Sequence, residues 1–198
     1  MYRPLAILLL VAVLAGCGSS KAVQTTTVPK QRFAGAELTP PRTAPPIALR
    51  DANGTPVTLA AQRGRYVLVT FIYTHCPDVC PLITKNLNAA LSVIGPSARK
   101  QVRVLAVSVD PVGDTPKAVK AYAREKHLFP QFQYLIGTRS DLRRVWKAWH
   151  VLAVEAKPDL VDHVAYTALL DTKGKERVLY GSSVHATQVV HDLRVLMG

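Results

Sequence analysis

Two runs of this chain are apolar almost without interruption, residues 66–73 (YVLVTFIY) and 102–109 (VRVLAVSV). A strand with one face in water alternates apolar and polar residues, so such runs demand cover on both faces. The solution is a sheet carried between helices. Each run is followed by helical signals. From Pro81, apolar residues recur at Ile83, Leu87, Ala90, Leu91 and Ile94, one face of a helix that Gly95-Pro96 should stop. After the second run, Thr115-Pro116 pairs a capping side chain with a first-turn proline.

The remaining pattern extends this unit. Ile47 and Leu49, then Asn53-Gly54, then Val57 and Leu59 read as a small hairpin. Residues 132–136 suit a third strand, and Ser140 is the expected cap of a helix reaching about Trp149. Residues 165–170 and 177–180 read as strands joined by a turn over 171–174, and a helix over 187–197 closes the chain. The order β-α-β-α-β-β-α resembles a thioredoxin-like domain with an inserted helical segment before its last hairpin. The expected fold is α/β, a central mixed sheet flanked by helices with an N-terminal β-hairpin extension, over residues 46–198. A length of 198 residues suits one such domain plus an appendage, and 48% hydrophobic content suffices for its core.

The appendage sets the compartment. Arg3 precedes an uncharged run from Leu5 to Leu14. That is half of the roughly 20 residues a membrane span needs, and it fits the apolar region of an export signal. Leu14-Ala15-Gly16-Cys17 resembles a bacterial lipoprotein signal, which implies removal of residues 1–16 and acylation of Cys17. Residues 17–45 carry Thr25-Thr26-Thr27, Pro29 and Pro40-Pro41 with little apolar content, and are expected to form a disordered tether. The domain is therefore expected at the cell membrane, lipid-anchored and facing outside the cytoplasm. The formal charge of +12 would by itself suggest nucleic acid, but an exported protein does not meet the chromosome. It points instead to anionic lipid or acidic protein surfaces, with Lys117, Lys120 and Arg124 and the cluster Arg139, Arg143, Arg144 and Lys147 as basic faces.

Setting Cys17 aside leaves two thiols, Cys76 and Cys80, in Thr74-His75-Cys76-Pro77-Asp78-Val79-Cys80-Pro81. They sit where the first buried strand meets its helix, the place where ligands gather in α/β sheets. The helix start should favour a thiolate at Cys80, whereas Asp78 opposes thiolate formation. Both cysteines precede proline, which should hold them on a constrained loop. CxxxC can close a disulfide or take a metal between its sulfurs, and thiolates select Cu(I), with zinc as competitor. A third ligand must come from His75, His127, His150, His163, His185 or His191. His127 and His150 fall at helix ends, His191 on an outward helical face, and His75 should point away from Cys76. His163 precedes a strand and could project over the sheet edge. Spacing alone does not choose it.

Residues 73–81 (YTHCPDVCP), then Val107-Ser108-Val109-Asp110-Pro111 with Asp114-Thr115, then Asp162-His163 before an apolar strand, resemble the SCO/SenC family. These are membrane-tethered, thioredoxin-like copper proteins that assemble the CuA centre of cytochrome c oxidase. The resemblance implies copper held by Cys76, Cys80 and His163. Cys76 and Cys80 are also the candidates for a redox-active disulfide, and Asp110 and Asp114, on the loop after the second strand, read either as residues that orient the ligands or as a plain strand-end turn, with Asp162 as a further orienting candidate. It implies as partner the copper-binding subunit of the oxidase or another copper chaperone. No nucleic acid is expected, and a monomer is. The stretch 151–162 is shorter than in many members, and the anchor resembles a lipid rather than their transmembrane helix. The leading expectation is a metallochaperone. Its alternative is a thiol–disulfide oxidoreductase that reduces the oxidase's copper-binding cysteines. A peroxidase ranks last, because no Arg or Lys adjoins Cys76 in sequence.

Overall fold

The computed structural model describes residues 31–151 and 165–198. The segment expected to be a signal peptide, Cys17, and Asp162 with His163 lie outside the described residues. Eight strands form one mixed sheet in the order β1-β8-β7-β4-β5-β6-β2-β3. Its centre is parallel, β4 (Tyr66–Ile72), β5 (Val102–Ser108) and β6 (Phe132–Ile136), with β7 (Thr167–Leu170) antiparallel beside β4. The two apolar runs are central strands covered on both faces. Leu68, Ile72, Val104 and Ala106 enter one core with α1 (Val79–Val93), α3 (Pro116–Glu125) and α5 (Ala186–Met197). Val67, Val69, Phe71, Leu105 and Val107 enter the other with α4 (Arg139–Ala148). A short α2 (Pro96–Arg99) follows α1. Among the described residues, no helix is long and apolar enough to cross a membrane.

The expected hairpin is β2 (Ala48–Asp51) with β3 (Pro56–Thr58), and it extends the sheet beyond β6. Its turn places Gly54 at φ +84°, where a side chain would be strained, and Asp51 Oδ1 accepts the Asn53 and Thr55 amides. The last hairpin joins β7 to β8 (Lys175–Tyr180) through the expected turn.

Strands β7 and β8 are observed at 167–170 and 175–180 rather than 165–170 and 177–180, and three further boundaries differ from expectation. The stretch assigned to the tether up to residue 45 includes a strand, β1 (Ala36–Thr43), paired antiparallel with β8. Its prolines are tolerated because it is an edge strand whose register shifts between Glu37 and Arg42. Just before it, Phe33 is only 1% exposed, and the buried Asp192 carboxylate accepts the Ala34 and Gly35 amides at 2.6 and 3.0 Å. Helix α1 starts at Val79 rather than Pro81, since a proline in the first turn forfeits an N–H that has no intrahelical acceptor. The cap of α4 is Thr138, whose Oγ1 accepts the Asp141 amide, rather than Ser140.

Candidate functional site

Parallel β4 and β5 both end at one edge of the sheet, and the loops that leave them there meet. The loop after β4 carries Cys76 and runs into α1, whose first turn holds Cys80, and the loop after β5 carries Asp110 and Asp114. A methyl group at Gly113 would collide with the Asp110 carboxylate and lie 3.2 Å from His75 Nδ1, so the loops pack too closely for any side chain there. Strand β7 begins at Thr167, paired with Thr70 near the end of β4. Thr70 Oγ1 donates to the Tyr166 carbonyl at 3.3 Å, and the Thr167 hydroxyl donates to Thr70 Oγ1 at 3.2 Å. The strand that follows His163 in sequence therefore starts at the edge where the thiols lie.

Cys76 and Cys80 are free thiols, both buried, at 6% and 1% exposure. The expectation of two sulfurs on a constrained loop is corrected for Cys80, which lies in the first turn of α1. The expected site of negative charge is corrected as well. The Cys80 thiol donates to the Cys76 sulfur, and together with the Asp78 and Cys80 amides it pushes Cys76 down to about 6 against the cost of burial. The Cys80 N–H lies 3.3 Å from Cys76 Sγ. The same sulfur–sulfur contact and burial push Cys80 far up. The open N–H groups of a helix start favour whatever anion they point at, and here they point at the preceding cysteine. Asp78 bears on Cys76 as a backbone donor rather than as the opposing charge expected of it. Tyr73, pushed up to about 12 by burial and then by the Cys76 charge, adds a hydroxyl donor to the same sulfur.

Beneath the thiol loop lies Asp114, 4% exposed. Its Oδ1 accepts the Thr74 amide at 2.9 Å and the Thr74 hydroxyl at 2.7 Å. Its Oδ2 accepts Ser108 Oγ at 2.6 Å and the Tyr134 hydroxyl at 2.9 Å. A buried carboxylate is stable only when its oxygens are occupied in this way. Asp114 thus ties the end of β5 and the middle of β6 to Thr74, two residues before Cys76. Asp110 Oδ1 accepts the Val112 and Gly113 amides at 3.1 and 2.9 Å and shapes the neighbouring loop.

His75 is the residue at this edge that the sequence did not single out. Its ring nitrogen lies 3.0 Å from Thr74 Oγ1, and ligand atoms of His75, Asp110 and Asp114 come within 4.8 Å of one another. Alternation along the strand suggested only that it pointed away from Cys76, because the loop after β5 is invisible to local spacing. The remaining histidines have other places. His127 and His150 take left-handed conformations just past α3 and α4, at φ 48° and 55°. His185 is the N-cap residue of α5, and His191 contacts Asp192. Asp162 and His163 lie outside the described residues.

A family model described as SCO1/SenC matches residues 35–198. Protein SCO2, mitochondrial, of Saccharomyces cerevisiae is 32% identical over 136 residues, which span 66% of this chain and 44% of that protein. The chain thus spans less than half the length of this relative. Among solved structures, apo Sco1 from Thermus thermophilus is 32% identical with a TM-score of 0.71, covering 85% of this chain and 99% of that one. Bradyrhizobium japonicum ScoI with copper bound is 27% identical with a TM-score of 0.66, covering 78% of this chain and 99% of that one.

Proposed function

The chain belongs to the SCO1/SenC family, and from that premise we propose that it is an exported, membrane-anchored copper chaperone that passes the metal to the CuA centre of cytochrome c oxidase. The observation that carries this reading is the adjacent pair of free, buried thiols at the sheet edge, in a chain similar to a ScoI structure with copper bound. Two sulfurs in contact form a soft donor pair, which favours Cu(I). His163 is the third ligand, and Cys17 carries the lipid. Cys76, pushed down, gives up its proton on loading more readily than Cys80, which is pushed up. Asp114, through Thr74, holds the loop that presents Cys76. Release follows when the thiolates of a partner replace Cys76 and Cys80 one at a time. Titrating the reduced protein with Cu(I) is expected to fill one tight site per chain, and neither Cys76→Ser nor Cys80→Ser should retain it. Undiminished binding in both variants would end this reading.

The unequal thiols also favour a second role, reduction of the partner's disulfide. Thiolate Cys76 attacks one sulfur of that disulfide, forming a mixed disulfide and expelling the other sulfur as thiolate. Cys80, losing its proton, then attacks Cys76 and expels the second partner thiolate. Two electrons pass to the partner, and Cys76–Cys80 is left as the disulfide.

A further inference from the structure

Three large aliphatic side chains are strongly exposed among the described residues, and two of them stand on the thiol edge. Leu82 is 53% exposed, two residues past Cys80, on a helix whose Ile83, Thr84 and Leu87 face the core. Val112 is 71% exposed at the tip of the loop after β5. That loop is held by the Asp110 carboxylate and pressed against His75, so its hydrogen bonds keep Val112 in water. A side chain fixed in this position gains from burial only when another molecule covers it. Each is accompanied by an exposed lysine, Lys85 one turn from Leu82 and Lys117 at the start of α3. The third aliphatic, Val93, lies elsewhere, against Val190 and Val195 of α5. The thiols of this edge are themselves buried, so exchange of their ligand needs a partner seated on the loop.

We propose that Leu82 and Val112, with Lys85 and Lys117, form the docking surface for the metal-receiving protein, whose own metal loop is ringed by apolar and acidic side chains. The inference rests on the copper-chaperone reading. Lys85 and Lys117 select an acidic protein surface. A bilayer against the same edge would instead seal the thiols from any recipient. Exposed aliphatics at the centre of such a contact act as anchors, while the lysines steer the approach.

The test compares wild type with Leu82→Glu and Val112→Glu in three assays. In the first, Cu(I) passes to a small chelator, bicinchoninate. In the second, it passes to the apo soluble copper-binding domain of cytochrome c oxidase. In the third, metal-free protein is titrated with that domain and binding is followed by NMR. Each variant should transfer to bicinchoninate as wild type does, yet lose about tenfold or more in transfer to the domain and in binding to it. Transfer to the domain should also slow as salt rises. Unchanged binding and transfer to the domain would overturn the proposal, as would equal losses to domain and chelator, which would mean a damaged thiol site. Wild-type binding to anionic phosphatidylglycerol vesicles that both variants abolish would also overturn it, in favour of a membrane contact. The third assay needs no metal, so failure of wild type to take Cu(I) would end the chaperone reading while docking was still measured.

Discussion

The chemistry of the site turns on which of two cysteines carries the charge. The Cys80 N–H lies 3.3 Å from Cys76 Sγ, and hydrogen bonding from Cys80 lowers the Cys76 thiol while the same contact and burial raise Cys80. An acid loses its proton above its pKa, so the Cys76 thiolate fraction rises as pH climbs through about 6. Alkylation of the reduced protein by iodoacetamide, followed by mass spectrometry, should therefore modify Cys76 with a midpoint near 6. An ordinary thiol would give about 8.5. Cys80, pushed up, should stay unmodified over the same range. Cys80→Ala removes the main donor and should move the Cys76 midpoint upward. A Cys76 midpoint at the ordinary thiol value in wild type would contradict the assignment. The motif and its place at a strand end were legible in the sequence. The direction of the hydrogen bonds was not, since it depends on the helix starting two residues before its proline.

At the scale of elements, β1 shows where composition misleads. A segment with Pro40-Pro41 and mostly exposed side chains resembles a linker, yet its backbone pairs with β8. What holds it is remote in sequence. Arg42 meets the nearly buried Glu176 at 2.9 Å, and Asp192 binds the amides just ahead of the strand. Gly35 passes so close to β8 that a Cβ there would come within 2.5 Å of Val178 and 2.6 Å of Tyr180. Gly35→Ala should accordingly destabilise the domain by about 1–3 kcal/mol, the usual cost of overpacking, measurable by urea unfolding. The Ala34 amide should then exchange hydrogen faster than in wild type. An unchanged midpoint and unchanged exchange would mean that residues 33–36 are not fastened as described. By contrast, β4 and β5 were legible from their sequence, because burial on both faces leaves a continuous apolar run that needs no distant partner to be recognised.

At the scale of the molecule, the two proposed roles part at His163. The chaperone reading uses it as a copper ligand, whereas thiol–disulfide exchange between Cys76 and Cys80 does not need it. His163→Ala should lower Cu(I) affinity by at least about tenfold, the loss that even an outer-shell partner can cost. Its rate of disulfide exchange with a small disulfide probe should match wild type. Equal affinity would remove His163 from the ligand set, and a parallel fall in exchange would make its role structural. The sequence by itself determined the buried central strands, the capping at Thr115, the hairpin at Asn53-Gly54 and the place of the CxxxC motif where strand meets helix. Each of these is specified by residues within a few positions of one another. Only the tertiary structure decided that residues 36–43 are a strand, that the Cys80 N–H points at the Cys76 sulfur, and that Asp114 ties Thr74 to Ser108 and Tyr134. It also brought His75 against the loop of Val112. These depend on groups tens of residues apart or on the aim of a single N–H, and local periodicity carries no record of either.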